Sequence, residues 1–409
     1  MASRFAYLSD GKLYLKNGDS PAVLYESPFA RGIRDRAVEL QRRHSWKTGG
    51  SGERLIPRAA LWGANAGDAA LVRIDFNSVC AQGATPGFVY SIRSREISGV
   101  LAHQEESGAE FRLLHTSDYR VSHISSNPVT GKLVMSIQHI QGATLAVMEA
   151  NGAGLTEVTQ GESSDECPAW VDSGANEIVF QSAGLAHNED EQVVGMAPYS
   201  IQLLNVESYG LQTLLESPHH DLLAPRLTKD GTLYFIRRPY KLNPHSFNFW
   251  RLMEDVLLFP YRLLYAFYQY LNFFTMRYTG NPLSASGASL RKQVDKRRMI
   301  LWGNLLEAQR KGLGDTSESL SMVPSTWELC RKRPGADIEV LAKSVLSFDY
   351  WPDETLLFSN GFSVFQLFPS GQKVRLLKAN MIQQVVSLGE APILGQHSSQ
   401  QEHAVVSSD

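Results

Sequence analysis

A short phrase recurs along this chain and is then interrupted. A turn carrying Gly, or a polar residue in its place, precedes a short apolar strand at Pro86-Gly87-Phe88-Val89-Tyr90-Ser91. It returns at Thr130-Gly131-Lys132-Leu133-Val134-Met135-Ser136 and at Ser173-Gly174-Ala175-Asn176-Glu177-Ile178-Val179-Phe180. Later copies read Asp230-Gly231-Thr232-Leu233-Tyr234-Phe235-Ile236 and Asp353-Glu354-Thr355-Leu356-Leu357-Phe358-Ser359. The first three turn glycines are 44 and 43 residues apart, a period that short strands show when they build β-propeller blades. From Gly231 to Glu354 the gap is 123 residues, so about 80 residues are inserted beyond one repeat of roughly 43.

Each repeat reads as up to four strands. In the copy from Tyr119 to Ser163 these are Val121–Ile124, Leu133–Gln138, Thr144–Glu149 and Leu155–Thr159. Asn127-Pro128, Thr130-Gly131 and Asn151-Gly152 supply the turns. Counting in both directions predicts an all-β fold, a six-bladed β-propeller, with a seventh blade left open as an alternative. The blade at the N-terminus lacks a first strand. Ile382–Leu388, near the other end, is placed to provide it and to remove the open edges. The expected domains are a propeller over 1–239 and 324–388, an inserted helical hairpin over 240–323 and a flexible tail over 389–409.

Pro168-Ala169-Trp170-Val171-Asp172-Ser173-Gly174 followed by Glu177-Ile178-Val179-Phe180 resembles the repeat of TolB-type, WD40-like (PD40) bacterial propellers. Ser347-Phe348-Asp349-Tyr350-Trp351-Pro352-Asp353 with Leu356-Leu357-Phe358 is similar. The resemblance covers most of the chain outside the insertion and implies a bacterial scaffold that binds other proteins. Its motifs carry no catalytic residues, and Glu354 departs from the usual turn glycine. The start of the chain reads as strand and turn, without the apolar core of a signal peptide, so the periplasmic role of exported members is not carried over.

The insertion changes character. Phe247–Met276 is the most aromatic stretch and approaches membrane-spanning length, yet it holds Arg262 and Pro260. A second helix is expected over Ala288–Lys311, with seven cations against two acids. Three readings stand: a helical hairpin covering the propeller, a surface for a protein partner, and a peripheral membrane contact. Its candidate surface residues are Trp250, Phe267, Tyr268, Phe273, Phe274, Arg291, Lys292, Arg297, Arg298 and Trp302.

The net charge of −3 gives no global attraction for nucleic acid, and no nucleic-acid partner is expected. Cys80, Cys167 and Cys330 are widely spaced, which argues against a zinc site or a disulfide framework and points to a reducing cytoplasm. No GxSxG, Walker A, HExxH or EF-hand pattern occurs. No catalytic residue, cofactor or metal is therefore expected. His219-His220-Asp221 reads as a turn between blades and Glu189-Asp190-Glu191 as a solvated acidic loop. Propellers place their chemistry at the channel mouth, where the candidates are Arg73, Asp75, His123, Arg226 and Asp349. The preferred reading is a non-enzymatic cytoplasmic scaffold presenting the channel face and the aromatic and basic insertion to protein partners. An ATPase-centred complex is the partner class suggested by fold analogy. The rival is a hydrolase or lyase at the channel mouth.

Overall fold

The computed structural model describes residues 4–36, 73–83, 86–94, 97–139, 142–171, 176–188, 193–240, 298–301, 304–307, 321–351 and 353–389. The chain divides into two compact units, one of Met1–Arg34, Val72–Tyr240 and Arg297–Asp409, the other of Asp35–Leu71 and Lys241–Lys296. The second unit lies outside the described residues except for Asp35 and Arg36.

The first unit is built of antiparallel meanders, of which the third and fourth are joined into one nine-stranded sheet by a single parallel bridge from Ala143 to Ser164. The chain begins with β1 (Arg4–Ser9), β2 (Lys12–Asn17) and β3 (Val23–Leu24), then enters the second sheet with β4 (Asp75–Ala81), β5 (Gly87–Arg93), β6 (Ser98–Gln104) and β7 (Glu110–Thr116). The third meander is β8 (Arg120–Ser126), β9 (Leu133–Gln138), β10 (Ala143–Met148) and β11 (Thr156–Glu157). The fourth is β12 (Ser163–Trp170), β13 (Glu177–His187), then past β14 (Val193–Met196) to β15 (Ser200–Asn205) and β16 (Leu211–Leu215). β14 pairs only with the overhanging end of β13.

In the fifth meander β17 (His220–Leu227) and β18 (Leu233–Pro239) are separated from their partners by a two-stranded hairpin, β19 (Arg298–Leu301) and β20 (Asn304–Glu307). β21 (Glu328–Lys332) and β22 (Glu339–Lys343) complete that sheet. The sixth is β23 (Ser347–Tyr350), β24 (Leu356–Ser359), β25 (Ser363–Leu367) and β26 (Lys373–Lys378). The last strand, β27 (Ile382–Ser387), returns to pair with β1, giving the order β27-β1-β2-β3 expected from the sequence.

The hairpin corrects one expectation. A helix from Ala288 to Lys311 cannot run through Arg298–Leu301 and Asn304–Glu307, which pair in antiparallel register. Leu301 lies opposite Asn304 in that register. The aromatic segment and its candidates Trp250, Phe267, Tyr268, Phe273, Phe274, Arg291, Lys292, Arg297 and Trp302 lie outside the described residues, and only the backbone of Arg298 is described. Among the described residues no helix is long and apolar enough to cross a membrane.

The near-continuous apolar runs of the second strands have a geometric cause. Side chains alternate across a strand, and here each face of a sheet meets a different neighbour, as in sheets covered on both sides. On β5, Phe88, Tyr90 and Ile92 join the cluster shared with β1 and β2, while Val89 joins Val121, Leu133 and Met135 of the third sheet. On β13, Ile178 and Phe180 pack against Val134 and Leu145, and Val179 against Leu222 and Phe235. On β24, Leu356 and Phe358 pack against Tyr234 and Ile236, and Leu357 against Phe5 and Tyr7. Six apolar clusters therefore join each meander to the next and the sixth to the first.

Glu354 shows what the departure from the turn glycine costs. Gly231 N donates to Thr228 O and Glu354 N donates to Trp351 O, closing the same turn, and the two residues share positive φ, 80° and 61°. A side chain in that conformation is strained by roughly 1–2 kcal/mol, which the higher unfolded-state freedom of Gly offsets in part. Glu354→Gly is expected to stabilise the protein by about 0.5–1 kcal/mol, read as a raised midpoint in urea denaturation.

Candidate functional site

Five of the six inner strands break register, β27 between Ile382 and Gln384 and four others. Those four shifts fall between Phe76 and Ser78 on β4, Val121 and Ile124 on β8, Glu166 and Ala169 on β12, and Leu223 and Arg226 on β17. Such bulges re-aim side chains and free backbone groups. Two of them carry proline: Cys167-Pro168 and Ala224-Pro225, with Cys167 and Ala224 at φ of 51° and 49°. Proline cannot donate to a ladder, so within a sheet it falls at a bulge or an edge.

The bulged residues line one cavity of about 450 Å³ that all six inner strands enclose. Asn77, Ser122, His123, Cys167, Pro168, Ala224 and Gln383 come from the bulges; Glu166, Arg226, Ser347 and Gln384 complete the wall. Arg93 and Arg120 stand exposed at the end where the inner strands begin, with Gln138 beside them. Three arginines thus face one lining carboxylate, Glu166, whose pKa burial pushes up against the opposing pull of its hydrogen bonds from Ser164 and Tyr199.

Most polar groups in this region hold the sheets together. Ser78 Oγ accepts from Ile124 N at 3.2 Å, and Ser125 Oγ from Trp170 N at 3.4 Å. Gln181 Oε1 accepts from Ala224 N at 2.7 Å. Asn77 Nδ2 donates to the bulge carbonyls of Val121 and Ser122, at 3.0 and 2.7 Å. Gln384 accepts from Val79 N and donates to Val79 O, both at 3.0 Å, so its amide imitates a neighbouring strand. Ser347 Oγ and Asp349 Oδ2 accept from Val385 N and Ser387 N at 3.1 and 2.8 Å. Buried polar groups must be satisfied in this way.

Three of the five sequence candidates come together here. His123 and Arg226 line the cavity, and Asp349 lies behind the wall with Oδ1 3.8 Å from Arg226 Nε. Burial raises the Asp349 carboxyl, and Arg226 opposes that shift. His123 is pushed down to about 4 by burial and then by Arg226, so its ring is neutral at neutral pH. Its Nδ1 is buried without a partner among the described residues. Arg73 and Asp75 do not join them. They pair with each other at 2.7 Å, Arg73 also reaches Asp10 at 3.6 Å, and Arg73 is 69% exposed.

Other candidate groups take structural positions. Asp221 pairs with Arg238 across β17 and β18, and His220 Nδ1 lies 3.3 Å from Ser217 Oγ. Among the described residues no cluster of His, Cys, Asp and Glu could hold a metal ion. The three cysteines are buried and form no disulfide bond, with Cys80 and Cys330 pushed up to about 12 and about 11 by burial. His139 is exposed, with Nε2 3.0 Å from Thr144 Oγ1. Glu189, Asp190 and Glu191 lie outside the described residues.

No protein-family model and no curated protein sequence matches the chain. Solved structures do match its fold. TolB from Acinetobacter baumannii aligns with a TM-score of 0.50 at 8% identity, covering 95% of this chain and 67% of that one. The nidogen/laminin complex aligns at 0.49 and 7% identity, covering 94% and 97%, and the tricorn protease at 0.46 and 10%, covering 94% and 34%. The chain has a TolB-like β-propeller fold. At such identities the likeness concerns the fold alone.

Proposed function

We propose that the protein is a non-enzymatic binding scaffold whose channel mouth holds an acidic segment of a protein partner. The observation that carries this reading is the division of labour among the polar residues. Most inner polar groups are engaged in bridging sheets, whereas Arg93 and Arg120 stand exposed at the mouth with Arg226 below them. Exposed arginines at an opening whose lining holds a single carboxylate, Glu166, favour carboxylates through bidentate charge-assisted bonds. The insertion supplies the second surface of the scaffold, and the reduced, buried cysteines fit a cytoplasmic setting.

Affinity purification from the native organism tests this with the wild-type chain and with an Arg93→Glu/Arg120→Glu double variant. The partner is expected to be lost from the double variant, by tenfold or more in recovered amount on the usual scale of charged hydrogen bonds. Equal recovery by both chains would remove the channel-mouth reading. A third chain lacking 241–320 keeps Tyr240, whose hydroxyl donates to Met196 O, and the buried Met322 and Val323. It reports separately on the insertion as the second surface.

A further inference from the structure

A second pocket, of about 480 Å³, lies away from the channel at the seam between the fifth and sixth sheets. Lys343 at the end of β22 and Lys373 and Arg375 on β26 line it, with Ser321, Ser344, Asn360 and Phe365. No carboxylate lines it among the described residues. Lys373 and Arg375 stand two apart on one strand, so both point to the same face.

The setting of Lys373 is the unusual part. Its Nζ lies 3.9 Å from the centroid of the Phe365 ring and 4.9 Å from that of Phe358, two stacked rings of the seam cluster. Ring faces attract a cation but replace only part of its hydration. Burial lowers the Lys373 pKa, and neither Lys373 nor Lys343 forms an ion pair among the described residues. The like charges of Lys343 and Lys373 on one pocket repel one another, and an anion between them turns that repulsion into attraction.

We propose that this pocket binds a small multivalent oxyanion, a phosphate ester or a polycarboxylate, held by Lys343, Lys373 and Arg375. Lys343 and Lys373 would act as point charges and Arg375 as a planar fork. Ser321, Ser344 and Asn360 are the other polar residues of the lining. The site is separate from the channel mouth, so it stands or falls independently of the scaffold reading.

The test is calorimetric titration of the full chain with pyrophosphate and with citrate, each at constant ionic strength so that general screening does not contribute. Saturable binding of one or both is expected, and the stronger of the two identifies the source as phosphate or carboxylate. Lys373→Met, which keeps the apolar stem against the rings, and Arg375→Gln are each expected to weaken binding about tenfold, the usual value of one charged hydrogen bond. Arg375 is exposed on the outer strand, so its variant serves should Lys373→Met fail to fold. Absence of saturable binding by either anion overturns the proposal. So does wild-type affinity in folded variants.

Discussion

Replacing His123 by Gln is expected to flatten the acid side of the stability profile. The ring has an ordinary pKa of 6.5 and is pushed down to about 4 in the fold, first by burial and then by Arg226. The unfolded chain therefore takes up this proton before the folded one does. The stability tied to the neutral ring is fully present above pH 6.5 and is lost as pH falls toward 4. A shift of this size corresponds to about 3 kcal/mol. Urea denaturation at pH 7.5 and 4.5 should show a clearly smaller loss in His123→Gln than in the wild type. An identical loss in both chains would mean that the acid response resides elsewhere.

The second large effect is expected at the base of the insertion. Asp221 Oδ2 accepts from Arg238 Nε at 2.8 Å, Asp221 Oδ1 accepts from Tyr199 N at 3.0 Å, and the guanidinium lies 5.0 Å over Trp327. Both charged side chains are nearly fully buried, at 7% and 5% exposure. Removing one partner of such a pair leaves the other charge without compensation, at a cost of about 3–5 kcal/mol. Asp221→Ala should therefore lose roughly that much stability in urea denaturation. Asp221→Ala/Arg238→Met should recover a large part of it. A single variant within about 1 kcal/mol of wild type, the scale of a surface pair, would show that the pair is not the clamp its geometry suggests.

The repeat was legible because turn chemistry and strand composition are local. Asn127, Gly131 and Gly231 occupy positions where a hydrogen-bonded turn or a positive φ requires them. The apolar runs between such turns became β5, β9, β13, β18 and β24. The pairing of Ile382–Ser387 with Arg4–Ser9 was also readable, since one blade lacked a strand and one strand lacked a blade. The second helix of the insertion was misread where Met299, Ile300, Leu301, Leu305 and Leu306 permit either period. Short apolar runs do not decide between helix and strand by themselves.

The site was legible only in part. His123, Arg226 and Asp349 meet because their strands converge, while Arg73 and Asp75 satisfy each other locally. The bulges that shape the cavity do leave a signal in the sequence: Cys167-Pro168 and Ala224-Pro225 put proline inside otherwise continuous strands. Arg93, Arg120, Glu166 and Gln384 gave no comparable signal. Their positions depend on register and on the neighbouring sheet.

What this chain's residues determine alone is the repeating unit, since a turn and an alternating strand are set by backbone sterics and by side chains a few positions away. Which face of each strand meets which neighbour was decided by the packing of sheets, where Val89 and Tyr90, adjacent in sequence, belong to different clusters. The cavity and the basic pocket belong to that second level. A pKa displaced by burial exists only once distant segments have excluded water, and the three cations of β22 and β26 share a pocket only once the fifth and sixth sheets lie side by side.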